Sequence, residues 1–366
     1  MRLAVFLPNW IGDVAMATPT LRALRSHVGP EGRVVGVMRP YVSQVLAGTP
    51  FLDAELFYDP RSKQADLRSR ALVRKLRAEK LDTVVLLTNS LRTGVLARLS
   101  GAKRRVGYAR SFRGPLLTDA LAPQSSGRTW YGARRYTPSP VLDYYLELAY
   151  ALGCPTESPQ LELAVSAADR AAADRVWQTL GLPADRPTIV FNSGGAFGAA
   201  KLWPNEHFAE LARRLVDRTD ASILMICGPS ERDTAREITA HANRPRVVSL
   251  ADDRMKAQSL SIGLSKACVE RASLMITTDS GPRHFAAAFN VPVVSLFGPT
   301  HIEWSENHQP EALHLQKKLP CGPCQQRVCP LGTHQCMRDL RVDEVERAAL
   351  KMLGRYADER RRMLSA

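Results

Sequence analysis

Short apolar runs alternate with stretches of helical spacing along the whole chain. Residues 3–7, 34–38 and 81–87 are near-continuous apolar runs, the pattern of strands buried on both faces of a parallel sheet. Between them, residues 14–25 carry helical spacing, with Pro19 marking a bend or a delayed start. Asn89 and Ser90 open a helix that runs through Leu99, and 141–152 is a further helix. Residues 109–140, rich in Pro, Gly, Ser and Arg, carry no clear element and read as a functional loop region. The alternation then restarts. Strands are expected at 188–191, 222–227, 247–250, 274–278 and 291–297, and helices at 204–218, 231–242, 259–271 and 283–289. Strand–loop–helix units in this order imply parallel sheets covered on both faces, here in two doubly wound α/β domains that divide near 155–185. Ligands of such sheets bind beyond the C-terminal ends of the strands.

Composition narrows the class. The chain has 366 residues, 45% of them hydrophobic and 23% charged, which excludes a disordered chain, a fibrous repeat or a disulfide-dense miniprotein. No apolar stretch approaches the ~20 residues of a membrane span. The first eight residues lack a signal-peptide cleavage site and read as a strand, so a cytoplasmic protein is expected. The net charge is +14, pointing to an anionic partner. Residues 101–140 hold eight Lys or Arg (Lys103, Arg104, Arg105, Arg110, Arg113, Arg128, Arg134, Arg135) against one acid, Asp119. This segment is either an anion-binding face or an arginine-rich solvated surface.

The polar motifs fall where strands are expected to end. Trp10-Ile11-Gly12-Asp13 follows the first strand; Asp13 there is a candidate general base or an ordinary helix cap. Asn192 to Pro204 (NSGGAFGAAKLWP) joins a strand to a helix. Its three glycines, Gly194, Gly195 and Gly198, let backbone N–H groups converge on an anion to which Lys201 adds a point charge, or the loop is flexible and its lysine solvated. Thr278-Asp279-Ser280-Gly281-Pro282-Arg283-His284 is a second such turn, with His284 a phosphate donor or a satisfied helix residue. Glu231, in Gly228-Pro229-Ser230-Glu231, is either an acid at a helix start or a ligand for vicinal hydroxyls.

Cys321, Cys324, Cys329 and Cys336 form C-x2-C-x4-C-x6-C. Inside a cell this spacing suggests metal ligation or reduced thiols more than disulfides. A structural zinc is one expectation, with His334 a competing ligand. None of the four lies at the end of an expected strand, so the cluster is expected to be remote from the ligand site.

The early W-x-G-D at 10–13, Asn89-Ser90, the NSGGAFGAAKLWPNEHFAEL run from Asn192, and D-S-G-x-x-H-x-A-A at 279–287 together resemble the ADP-heptose:lipopolysaccharide heptosyltransferases, glycosyltransferase family 9. With the R-x-G-Y-x-R segment from Arg105, the resemblance is strongest to the heptosyltransferase II branch. It implies a GT-B fold of two facing Rossmann-like domains. The N-terminal domain, 1–165, would bind the acceptor. The C-terminal domain, 166–341, would bind the ADP-sugar and includes the cysteine loop 321–336. A helix at 342–366 would pack back towards the first domain.

The resemblance further implies an inverting transfer of L-glycero-D-manno-heptose from ADP-heptose to the inner core of lipopolysaccharide, with no cofactor required. Asp13 would be the catalytic base and Lys201 the residue on the donor diphosphate. Ser193, Gly194, Gly195, Glu231, Asp279, Ser280, Gly281 and His284 would bind the donor. Asn89, Ser90, Arg105, Arg110 and Arg113 would form the acceptor face, with peripheral contact to the inner membrane and none to nucleic acid. Three other readings stay open: a GT-B enzyme on another nucleotide sugar, a non-catalytic binder of lipopolysaccharide precursors, and a nucleic-acid binder. The last would use Tyr108, Phe112, Trp130, Tyr131 and Tyr136 as stacking aromatics among the arginines.

Overall fold

The computed structural model describes residues 1–128 and 134–365. The chain folds as two units, Met1–Glu162 with Glu303–Asn307, and Leu163–Ile302 with His308 onwards.

The first unit runs β1 (Arg2–Phe6), α1 (Ile11–Met16), α2 (Thr18–Val28), β2 (Arg33–Met38), α3 (Ser43–Leu46), β3 (Ala54–Phe57), α4 (Ser69–Ala78), β4 (Thr83–Leu86), α5 (Leu91–Leu99), β5 (Arg104–Tyr108), β6 (Asp119–Leu121), β7 (Ser125–Arg128), β8 (Arg134–Tyr136) and α6 (Val141–Tyr150). Strands β1 to β6 make one parallel sheet in the order 3-2-1-4-5-6, counted along the chain. β7 and β8 pair apart from it as an antiparallel ribbon. Ala4, Phe6, Val35, Val37, Val84 and Leu86 are almost wholly buried and form one core with Leu72 and Leu76 of α4 and Leu96 of α5. The expected 14–25 helix is two helices. α1 starts earlier, and Pro19 sits in the first turn of α2, where its missing N–H costs no helical hydrogen bond.

The second unit runs α7 (Ala167–Leu180), β9 (Thr188–Asn192), α8 (Asn205–Arg218), β10 (Ser222–Met225), α9 (Arg232–Ala242), β11 (Val247–Ser249), α10 (Ile262–Glu270), β12 (Leu274–Thr278), α11 (Arg283–Ala288), β13 (Val293–Phe297), β14 (Ala312–Gln316), α12 (Gln335–Arg338) and α13 (Val342–Ser365). Its sheet repeats the first order, β11-β10-β9-β12-β13-β14, again all parallel. α13 lies against α8, β12 and β13 within this unit. Trp203, 1% exposed, donates its indole N–H to the Leu340 carbonyl at 2.8 Å, tying the start of α8 to the chain just before α13.

In each sheet the strand order reverses between the first and fourth strands, β1/β4 and β9/β12. Such a reversal opens a crevice beyond the strand ends, the usual ligand position of this topology. The parallel order and the short, fully buried strands were legible as apolar runs. Within 109–140 the structure adds β6 and the β7–β8 ribbon; Trp130 and Tyr131 lie outside the described residues.

Candidate functional site

At the β9/β12 reversal the polar side chains bind one another closely. Asn192 ends β9, and its Nδ2 donates to Thr277 Oγ1 at 3.0 Å and Ser280 Oγ at 2.8 Å, joining the ends of the two strands. Thr278 Oγ1 donates to the Gly194 carbonyl at 2.7 Å. The Glu231 carboxylate lies against Gly194, where a Cβ would displace it. Glu231 Oε2 accepts the Gly228 N–H at 2.8 Å, which aims the carboxylate across the loop. Ser193, Gly194, Glu231 and Ser280 are thus brought together, as their positions at strand ends suggested. Gly195 meets only ordinary contacts, with Thr278 and Ser280.

Lys201 and Asp279 form the charged centre of this group. Lys201 Nζ lies 2.5 Å from Asp279 Oδ2 and 3.1 Å from the Asp279 carbonyl. Their side chains are 11% and 8% exposed. Thr300 Oγ1 donates to Asp279 Oδ2 at 2.7 Å, and Arg283 Nη1 stands 3.6 Å from Oδ1. Burial works to raise the Asp279 carboxyl, but Lys201, Arg283 and the Thr300 hydroxyl outweigh it and hold it below the usual carboxylate range. It is therefore an anion. Lys201 and Arg283 thus flank the buried carboxylate at the end of β12, placing cationic side chains where an anionic ligand could be met.

Gly281 and Pro282 lead into α11, and His284 donates its backbone N–H to the Gly281 carbonyl at 3.1 Å. The His284 ring is buried, and burial, with Arg283 beside it, pushes its pKa well below the ordinary imidazole value. Burial here favours the neutral form of the ring.

The cysteine loop is not remote from this group, and the expectation that it would be is corrected here. Arg327, between Cys324 and Cys329, accepts the Ala200 N–H on its carbonyl at 3.0 Å. A Cβ at Gly198 (φ +152°) would collide with that carbonyl. The Phe197 ring carries the Lys201 ammonium 4.5 Å from its centroid and the Arg327 guanidinium at 5.7 Å. All seven cysteines are free thiols. Among the described residues no three His, Cys, Asp or Glu side chains are arranged to hold a metal ion, so the expected zinc cage is not assembled. The thiols are near one another: Cys336 is raised by burial first and then by Cys324, Cys329 and Cys321. Cys329 instead turns towards the backbone N–H groups of its own turn, His334 foremost, which draw its thiol pKa down.

The first unit carries its own polar group at the β1/β4 reversal. Asp13 is the third residue of α1, not its cap; Trp10 holds the cap position, without a side-chain bond. Asp13 is half-buried and near the wholly buried Tyr145 of α6, whose hydroxyl pKa is raised by burial and then by Asp13. Ser90 caps α5, accepting the Thr93 N–H at 3.2 Å. Asn89 Oδ1 accepts from Tyr144 Oη at 3.0 Å and Arg113 Nη2 at 3.1 Å.

Two of the arginines expected on the acceptor face are placed otherwise. Arg113 is fully buried and also donates to the carbonyls of Tyr108 and Thr88. Burial pushes its pKa down to about 10, and it positions Asn89 from below. Arg105 lies at the far end of β5 from the reversal, bonded to the carbonyls of Leu116 and Ala102 at 2.8 and 2.7 Å. Arg110 stays near the group, its guanidinium 3.7 Å over the Tyr136 ring.

Beside Ser90 a cavity of about 290 Å³ is lined by Asn9, Arg39, Arg61, Thr88, Ser90 and Arg92, among others. Arg39 is held by Asn9 at 3.1 Å and Asp59 at 3.2 Å. These three arginines were missed in the sequence. Arg39 and Arg61 stand on separate loops and Arg92 is the second residue of α5, and only the position of Arg39 directly after β2 gave a signal.

The family model of glycosyltransferase family 9 (heptosyltransferase) matches residues 69–335. Lipopolysaccharide heptosyltransferase 2 of Escherichia coli K12 is 26% identical over 86% of this chain and 88% of its own length. Lipooligosaccharide heptosyltransferase 2 of Campylobacter jejuni is 24% identical over 96% and 98%. Among solved structures, E. coli ADP-heptose lps heptosyltransferase II superposes with a TM-score of 0.77 at 23% identity, covering 97% of this chain and 99% of that one. A family 9 glycosyl transferase from Veillonella parvula gives 0.78 at 24%, over 96% and 97%. Two parallel six-stranded sheets of this order, in this company, define a GT-B glycosyltransferase. Within that class the chain belongs to glycosyltransferase family 9.

Proposed function

We propose that this chain transfers L-glycero-D-manno-heptose from ADP-heptose to the inner core of lipopolysaccharide, with inversion at the anomeric carbon. The observation that carries the reading is the buried Lys201–Asp279–Arg283 group beside the Gly194–Glu231 contact. Such a set suits a nucleoside diphosphate: a carboxylate for ribose hydroxyls, and the Lys201 ammonium for the diphosphate.

In the proposed step the acceptor hydroxyl oxygen attacks the anomeric carbon while the bond to the ADP oxygen breaks. Asp13 takes the hydroxyl proton. The electron pair leaves on the diphosphate, whose added negative charge is met by Lys201, with Arg283 in support. A diphosphate leaves without protonation, so one carboxylate base suffices, unlike the carboxylate pair of a glycosidase. This charge set serves the transfer without an added metal, and the reaction is expected to run in EDTA. The cavity with Arg39, Arg61 and Arg92 would take the anionic groups of the acceptor. No helix among the described residues is long and apolar enough to cross a membrane; a cytoplasmic enzyme working at the inner membrane surface is the setting the substrate calls for.

The test is a donor screen: ADP-, UDP- and GDP-sugars incubated with extracted lipid core, read as nucleotide release. ADP-heptose alone should support rapid release. Equal or faster release from a UDP- or GDP-sugar would favour a GT-B enzyme of another donor class.

A further inference from the structure

α5 presents an apolar seam to solvent. Leu91, Val95 and Leu99 are 46%, 39% and 43% exposed. At about 100° per residue they fall within roughly 80° of one another on the helix. Arg98 lies about 20° beyond one edge of the seam and Arg92 about 20° beyond the other. Both arginines are exposed. The opposite side of α5, with Thr93, Leu96 and Ala97, is buried. The loop at 110–113 packs against the helix at Gly94, where a Cβ would come within 3.0 Å of Arg113 Cβ. By the same rotation Gly94 stands on the Arg98 side. On that loop Phe112 is 96% exposed with φ +60°. A non-glycine residue in the left-handed region, with its whole ring in water, is held there by its neighbours and not by its own preference. Here the holding residue is the buried Arg113, bonded to Tyr108 and Thr88.

We infer that the α5 seam and Phe112 form a docking surface for a bilayer carrying anionic headgroups. Apolar side chains flanked by arginines are the composition of a helix lying in a membrane interface, and basic residues near an anionic surface add electrostatic attraction. A second copy of the chain fits worse: a two-fold contact through this face would bring Arg92 and Arg98 against their own copies. Arg92 also lines the cavity beside Ser90. The surface therefore runs continuously into the proposed acceptor pocket, as a lipid-anchored acceptor requires. In this respect it rests on the function proposed above.

The experiment is vesicle flotation of the full chain, without nucleotide sugar, on phosphatidylcholine alone and on phosphatidylcholine with one-third phosphatidylglycerol. The wild type should float with the anionic vesicles and stay behind with the neutral ones. Val95→Ser/Leu99→Ser/Phe112→Ser should weaken binding at least ~10-fold. Its melting temperature and its activity on a water-soluble, deacylated acceptor should be unchanged. Arg98→Glu should weaken binding to anionic vesicles alone.

A wild type that does not float, a triple variant that floats equally well, or indifference to phosphatidylglycerol would overturn the proposal. So would a concentration-dependent dimer abolished by the same three substitutions. Because flotation uses no substrate, vesicle binding without heptosyl transfer would sink the function proposed above and leave the docking surface standing.

Discussion

Lys201 Nζ lies 2.5 Å from Asp279 Oδ2, although 78 positions separate the two residues in the chain. The pair is buried, and removing Lys201 takes the nearer of two cations from the Asp279 carboxylate, at a cost of up to about 3–5 kcal/mol. Lys201→Met is therefore expected to lose stability and activity together. Lys201→Met/Asp279→Asn should recover part of the stability, since the buried carboxylate is gone although Arg283 loses it as a partner, yet stay slower by about 100-fold or more because the leaving diphosphate has lost the lysine. Denaturant unfolding and single-turnover ADP release separate the two effects. A double variant that is both stable and fast would mark the ion pair as scaffolding.

Such a pairing was only half legible in the sequence. Both residues stood out, because each follows a buried strand and sits in a turn with glycine. That they neutralise one another depends on β9 and β12 being neighbours, a matter of strand order and not of local pattern. The strands buried on both faces announced themselves as apolar runs. β5 did not, because Arg104 and Arg105 open it, and β14 did not, because it is a half-exposed edge strand. Arg113 and Arg105 were read as facing a ligand when one is buried beneath Asn89 and the other lies at the wrong end of its strand. Composition gives a charge but no direction for it.

His284 makes the fold sensitive to mild acid. Its folded-state pKa lies well below the ordinary 6.5, chiefly through burial, with Arg283, His314 and Lys201 adding and Asp279 opposing. The unfolded chain therefore takes up a proton near pH 6.5 that the folded chain refuses. The stability this neutral ring contributes is full above pH 6.5. It is lost as pH falls below that value, by up to about 1.4 kcal/mol per pH unit. His207 is lowered in the same direction. Unfolding free energies at pH 7 and pH 5 should show the loss, with a smaller slope in His284→Gln. An unchanged slope would mean that His284 already takes up its proton in the folded chain.

Gly198 packs under the Arg327 carbonyl of the cysteine loop. Gly198→Ala should push that loop away, disturb Phe197 and Lys201, and raise KM for the donor by about 10-fold. Arg327→Ala keeps the backbone contact and loses only the guanidinium over Phe197, a matter of about 0.5–1 kcal/mol, so KM should rise only a few-fold. Donor titrations of the two variants decide it. Equal, wild-type affinity in both would mean that the cysteine loop has no hold on the donor loop.

Asp13 is the residue on which the chemistry proposed here turns. The decisive measurement follows ADP release and heptosylated lipid together, from ADP-heptose and extracted lipid core, in the wild type and in Asp13→Asn. One ADP should appear for each heptose added by the wild type. Asp13→Asn should still bind ADP-heptose but turn over at least ~100-fold more slowly. Wild-type turnover in Asp13→Asn, or ADP release with no heptose reaching the lipid, would contradict base-assisted heptosyl transfer by this chain.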